Sequence, residues 1–400
     1  MNKNIKLAVA GAVLALGATA ANAGIIIPAG DWTLDISGNV NSYVTNTRTS
    51  GETVLGGLTA AANDTGTKSQ GSITTGLLPN FLSVAGSTRQ NDLDVTFLIS
   101  INPGGTSATP LAGGSANENR QAFMTFGDKS WGSIKLGKDL GIFASDAILN
   151  DMTLLGVGSG AGSRTSHTTS LGRIGTGFVY ADWKNQASYT TPNFNGFQAT
   201  IGMTQAWNPT GVNAATSYTG DDARAAGGYA YEGKASYSFA ANDVTGKVWV
   251  SGFSQKVNSS TDTAYAGDIG ANINVAGLGL TGYYYSGQGI GLTAMLRDGY
   301  DASRKARDSD GGYVQATYIL PTKTKLGASW GRSNLDRNST GDVAATSNFV
   351  KEQEMWTIGA YHPLTKHLNI VAEYNDVQDT GNNNVEQKAR TVALGGILFF

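Results

Sequence analysis

The chain has 400 residues, no cysteine and a formal charge of -2. Without cysteine there is no disulfide scaffold, cysteine nucleophile or lipid-modified N-terminal cysteine, and the weak acidic balance argues against a nucleic-acid partner. Gly is 54 of 400 and charged residues are 14%, against about 7% and about 25% in ordinary soluble domains, so a typical soluble enzyme is a poor match.

In chain order the first element reads as a leader. Met1 to Lys6 carries Lys3 and Lys6, Leu7 to Ala20 is apolar, and Ala21-Asn22-Ala23 gives a small-x-small pattern before Gly24. That is the three-part layout of a secretory signal peptide. The apolar run falls short of the roughly 20 residues that a bilayer-spanning helix needs. Residues 1–23 are therefore expected to be a cleaved signal peptide, and residues 24–400 a single exported domain.

From Trp32 onward the hydrophobic period is two. Trp32, Leu34, Ile36, Gly38 and Val40 alternate with Thr33, Asp35, Ser37, Asn39 and Asn41. Leu93 to Ile101 repeats the pattern, with Leu98 the one apolar residue on the polar side. Strands are predicted at 31–45, 70–85, 92–102, 119–127, 131–139, 182–191, 195–205 and 229–240. They continue at 243–256, 263–275, 278–287, 311–320, 324–333, 353–361, 367–378 and 390–400. Each has one apolar and one polar face. About sixteen is an even number, as single-chain bacterial barrels require.

The links between strands are sorted by length. Gly127 to Ser130, Pro192-Asn193, Ala241-Asn242, Ala276-Gly277, Pro321 to Lys323 and Pro363 to Lys366 are short turns. Asn46 to Ser69, Pro103 to Glu118, Ala206 to Gly228, Gln288 to Asp310 and Asn334 to Glu352 are long, polar and Gly-rich. Short turns on one side and long loops on the other imply a closed outer-membrane barrel with both chain ends on the periplasmic side. Closure satisfies every backbone polar group inside the bilayer. The fold class is therefore all-β: a transmembrane, antiparallel, up-and-down barrel of about sixteen strands.

The last strand ends in an aromatic. Val392, Leu394, Gly396, Leu398 and Phe400 share one face. This resembles the C-terminal signal by which outer-membrane barrels are handed to their assembly machinery, with Phe400 and Leu398 as its residues.

Several stretches are similar to the general trimeric porins of Gram-negative bacteria, of the neisserial and β-proteobacterial type. Asn119-Arg120-Gln121-Ala122-Phe123 and Gly132-Ser133-Ile134-Lys135-Leu136-Gly137-Lys138 resemble that family's Arg-x-Ala-Phe and Gly-x-x-x-Leu-Gly-Arg strands. Asn185 to Phe197 resembles its Asn-Ser-x-x-Tyr-x-Ser-Pro-x-Phe-x-Gly-Phe segment. Two positions depart from the pattern: Lys138 stands where the family usually has Arg, and the Arg before the Asn-Ser pair is replaced by Lys184 or by Arg173 further upstream.

The resemblance implies a homotrimer in the outer membrane, in contact with lipids and lipopolysaccharide, through which ions and small hydrophilic solutes diffuse without a cofactor. It also implies that the third long loop, Leu140 to about Asp182, folds inward and narrows the pore. Ser145 to Asp151 reads as a short helix with Ser145 as its cap. Asp146 and Asp151 would face cations on the opposite wall, drawn from Arg89, Arg120, Lys138, Arg173 and Lys184. Such a transverse field favours hydrated solutes over apolar ones. The sign of ion preference stays open.

Other readings are weaker. His167, His362 and His367 form no recognisable triad or metal set, so neither catalysis nor a metal is expected. Asp298 to Asp310 reads as a solvated loop rather than a calcium site. A substrate-specific channel and a non-channel surface adhesin remain the alternatives.

Overall fold

The period-two pattern builds one continuous wall. In the computed structural model, residues 24–61, 68–105, 117–160, 168–211, 228–257, 260, 262–338, 342–344 and 346–400 are described. The leader at 1–23 and His167 lie outside them. Nineteen strands follow: β1 Ile25–Ala29, β2 Trp32–Gly51, β3 Ser69–Thr74, β4 Phe81–Gln90, β5 Leu93–Pro103, β6 Asn117–Glu118, β7 Ala122–Asp128, β8 Gly132–Leu140, β9 Trp183–Thr190 and β10 Phe197–Gln205. The rest are β11 Tyr229–Ala241, β12 Val244–Lys256, β13 Thr263–Val275, β14 Leu278–Gln288, β15 Asp308–Ile319, β16 Lys325–Leu335, β17 Val350–Pro363, β18 Leu368–Gly381 and β19 Glu386–Phe399.

Sixteen of these pair antiparallel with their neighbours in a ring; β1, β3 and β6 are short additions. The ring closes where β19 meets β2, from Gln387 opposite Gly51 to Phe399 opposite Asn39. Gly38 and Phe400 then exchange backbone hydrogen bonds of 2.8 and 3.0 Å. The last residue is thus held in the wall, and Val392 and Leu394 beside it point outward, more than half exposed.

Burial separates the two faces as the alternation requires. On β5, Ile99 and Ile101 are 49% and 47% exposed, whereas Ser100 and Asn102 are 1% and 3%. The apolar residues point out and the polar ones in, the reverse of a soluble core and the arrangement a bilayer demands. Leu98, the exception in sequence, faces inward and is buried. Outward tyrosines stand near strand ends, with Tyr229 and Tyr231 at one end of β11 and Tyr237 towards the other. Aromatic rings favour such membrane–water boundaries because one part of the ring system is apolar and the other wet.

Turn chemistry fixes the short-turn end. Asn91 and Asp92 both adopt left-handed φ, 49° and 61°, which a two-residue hairpin needs to match strand twist. One expectation fails here: the strand predicted at 70–85 is two strands, β3 and β4. Between them, residues 75–80 leave the wall and turn into the barrel. Asn39 and Asn41, both inward on β2, make this possible. Asn39 donates to the Pro79 carbonyl (2.8 Å), and Asn41 donates to the Leu78 carbonyl (2.9 Å) and accepts from the Gly76 amide (2.8 Å). The side-chain amides satisfy the backbone groups that a regular ladder would have paired.

Candidate functional site

The segment between β8 and β9 crosses the barrel interior rather than extending from its rim. Its root is closed by a hydrogen bond from the Gly141 amide to the Asp182 carbonyl (2.7 Å). Glu232 on β11 accepts the amides of Ile142 (2.7 Å) and Phe143 (2.8 Å) on one carboxylate oxygen. Its other oxygen takes the Lys184 ammonium at 2.6 Å and the Thr204 hydroxyl at 3.0 Å. A one-turn helix follows at Ser145–Leu149.

Anchors then come from successive parts of the wall. On β15, Tyr313 donates to the Ala147 carbonyl (2.8 Å), and Gln315 both donates to Asn150 (3.0 Å) and accepts from the Met152 amide (2.7 Å). On β18, Glu373 accepts the Val157 and Gly158 amides, both at 2.8 Å. On β2, Tyr43 donates to the Leu155 carbonyl (2.7 Å). The loop therefore hugs the arc from β11 through β18 to β2. Gly156 marks its closest approach, since a Cβ there would lie 2.0 Å from a Glu373 carboxylate oxygen.

Open space remains on the other side, between the loop and the arc β4–β11. A cavity of about 280 Å³ lies there. Arg120, Lys135, Asp139 and Lys234 are its charged lining residues. Lys135 pairs with Asp139, which also accepts from Gln121 (3.0 Å). Arg120 donates to Glu118 (2.9 Å) and Thr168 (2.7 Å). Lys234 contacts Asp146 and the Ser145 hydroxyl, each at 2.9 Å. Lys247 binds the second Asp146 oxygen, so one carboxylate serves two ammonium groups. Burial raises the Asp146 carboxyl's pKa, but the two lysines outweigh that and hold it below the usual carboxylate range.

The expected site residues fall into different places. Arg120 lines the cavity, whereas Asp146 is 4% exposed and its carboxylate meets Lys234 and Lys247 rather than the open space. Asp151 does not face a cation across the pore: it is 3% exposed and caps its own 3-10 turn, accepting from the Thr153 amide (2.9 Å) and hydroxyl (2.6 Å). Burial raises its pKa, which the nearby Arg173 only partly offsets.

Arg173 is no wall residue either. It belongs to the loop, is fully buried, and donates to the Met355 carbonyl (2.9 Å), stapling loop to wall. Lys184 is on the wall but consumed by its pair with Glu232. Arg89 lies at the short-turn end, bound to Asp94 (2.8 Å) and Asp128 (2.9 Å). Lys138 points outward, because its neighbour Asp139 points into the cavity and successive strand residues alternate; its ammonium donates to the Asn119 carbonyl (2.7 Å).

Ser145 is also misplaced as a cap. Ala144 holds the N-cap position with a left-handed φ of 59°, and the Ser145 hydroxyl donates back to the Ile142 carbonyl (2.9 Å). The segment Asp298 to Asp310 is folded rather than solvated. Asp298 and Asp301 are buried, and Arg307 in its midst donates to the Asp298 carbonyl (2.7 Å) and pairs with Asp342 (2.5 Å).

Lys135, Lys234, Lys247, Glu232 and Glu373 escaped the sequence reading. Their signal was present: each is a charge on the polar parity of a strand whose other parity is apolar.

The sequence matches the Gram-negative porin family over residues 8–382. No curated protein matches it. Among solved structures, the anion-selective porin from Comamonas acidovorans is similar at 13% identity and a TM-score of 0.62, over 92% of this chain and 100% of that one. The outer membrane channel DcaP of Acinetobacter baumannii shares 14% identity with a TM-score of 0.66, over 94% and 100%. The trimer form of OmpT, an outer membrane protein of Vibrio cholerae, shares 14% identity with a TM-score of 0.54, over 92% and 99%.

Proposed function

Because the chain belongs to the Gram-negative porin family, we propose that its barrel is a water-filled outer-membrane channel narrowed by the loop 141–182. Ions and small hydrophilic solutes diffuse through it passively. The observation that carries the constriction is the loop's attachment inside the barrel, to Glu232, Tyr313, Glu373 and Tyr43 in turn. What is left open is the space against β4–β11, lined by three cations and one carboxylate. With the partners Glu118, Asp146 and Lys247 counted as well, a single positive charge remains in excess, which supports a preference for anions.

Residues 1–23 act as a cleaved export signal on this reading, and the outward Leu398 and the terminal Phe400 as the assembly signal. The outward apolar band contacts lipid and lipopolysaccharide. The protein works as a homotrimer, supported by the likeness to a trimeric Vibrio cholerae relative. Channel activity rather than catalysis is the function the family supports. Conductance in planar bilayers tests the whole reading: stepwise increments in KCl and an anion-selective reversal potential in a salt gradient are expected. No conductance would refute the channel, and a cation-selective potential would refute the role given to the lining charges.

A further inference from the structure

The loop shows the bore an apolar surface where facing carboxylates were expected. Asp151 is turned back into its own turn, and Asp146 is drawn away by Lys234 and Lys247. Most of the loop's share of the cavity lining is apolar, with Ile148, Leu149, Leu154 and Leu171 beside the polar Ser145, Thr169 and Tyr180, and Phe81 joins from the wall. Phe81, Leu149 and Leu171 are only partly buried, so part of each ring or side chain is presented to the open space. To the same cavity the barrel side contributes the cations Arg120, Lys135 and Lys234.

We infer that this cavity is a selective subsite for small organic anions that carry an apolar body, such as aromatic carboxylates. This rests on the channel reading above and narrows its solute class. A fully hydrated inorganic ion gains nothing from the leucine side, and an uncharged apolar solute gains nothing from the cations. A solute with both parts satisfies both walls at once. Its ring displaces water from the Leu149 and Leu171 surface. Its carboxylate takes hydrogens that the lysines still have to give, since an ammonium has three donors. Lys135 uses donors on Asp139, and Lys234 on Asp146 and Ser145. At about 280 Å³ the space holds one small organic molecule, whereas each water in the liquid takes about 30 Å³.

The test uses the full chain reconstituted in planar bilayers in KCl, with potassium benzoate, potassium acetate or benzyl alcohol added. Benzoate is expected to reduce the KCl current saturably, half-blocking at a concentration about tenfold lower than acetate. Benzyl alcohol, its uncharged counterpart, is expected to leave the current unchanged over the same range. Lys135→Gln and Leu149→Ser should each raise the half-blocking benzoate concentration, measured against that variant's own KCl step. If Leu149→Ser does not insert, the wild-type comparison and Lys135→Gln still decide. Equal block by benzoate and acetate would overturn the inference, as would equal block by benzyl alcohol or no response to either substitution. Absence of any KCl step, read before a probe is added, would overturn the channel reading and this one with it.

Discussion

Lys184 and Glu232 form an ion pair of 2.6 Å whose side chains are 2% and 0% exposed, at the point where the inner loop leaves the wall. Glu232 also receives the amides of Ile142 and Phe143, so one carboxylate both neutralises a buried cation and sets the loop's direction of entry. Removing one partner of such a pair leaves an uncompensated buried charge and costs about 3–5 kcal/mol. Glu232→Ala is therefore expected to lower the urea midpoint of the barrel in detergent and to make its single-channel current fluctuate. The double variant Lys184→Met/Glu232→Leu should recover much of the stability but not the steady current. It removes both charges but leaves the two amides without an acceptor. Equal steadiness in all three proteins would show that the pair does not position the loop.

Gly156 is where the loop lies flattest against the wall. A valine there would bring side-chain atoms onto the Glu373 carboxylate, because even a Cβ falls 2.0 Å from it. The loop is backed by β18 on that side, and on the other the Gly156 carbonyl accepts from the Leu77 amide (2.8 Å), so relief pushes the loop and the 75–80 segment together into the bore. Gly156→Val should lower single-channel conductance, with a stability loss of about 1–3 kcal/mol from overpacking. Unchanged conductance would mean that the wall yields instead.

The barrel was legible in sequence and much of the loop's anchoring was not, for a physical reason. Strand faces follow from a strict period of two, so parity alone places Ile99 outward and Ser100 inward. The same parity, applied to charges, would have put Lys135 and Lys234 inside and Lys138 outside. Family resemblance instead favoured Lys138. The loop obeys no period. Asp151 and Arg173 look alike in sequence to any lumen charge, and only the fold reveals that one caps a turn and the other staples the loop to the Met355 carbonyl. The inward detour at residues 75–80 was hidden similarly. It depends on Asn39 and Asn41 on another strand, a contact that no local pattern records.

On the outer surface, Gly86 sits beneath Phe97, which faces it across the β4–β5 ladder. A Cβ on Gly86 would lie 2.2 Å from the Phe97 ring, and Trp32 packs on the same ring at 5.5 Å between centroids. An aromatic ring laid over a strand glycine covers the exposed backbone and pins the register. Gly86→Val should therefore destabilise the folded barrel by about 1–3 kcal/mol, seen as a lower urea midpoint in detergent. Conductance of the channels that do insert should stay at the wild-type level, since the change lies outside the lumen. A conductance shift would contradict that placement.

The charge shared at Asp146 makes ion preference depend on pH in a defined direction. Its carboxyl pKa is raised by burial but lowered further by Lys234 and Lys247, leaving it below the ordinary value of 3.8. A folded-state pKa depressed in this way means that the ion-pair stabilisation is fully present above the unfolded value. It is lost as pH falls through the folded one. Above that window the carboxylate offsets one of the two lysine charges; below it neither is offset. Anion preference should therefore change little as pH falls from 7 towards 4 on account of this group, then strengthen at lower pH. Asp146→Asn should show the stronger anion preference already at pH 7, because the two ammonium groups lose their shared counter-charge at every pH. Reversal potentials in a KCl gradient, taken on both proteins across the range, measure this directly. A wild-type potential that shifts fully above pH 4, or an Asp146→Asn potential equal to wild type at pH 7, would show that Asp146 does not govern the charge of the bore.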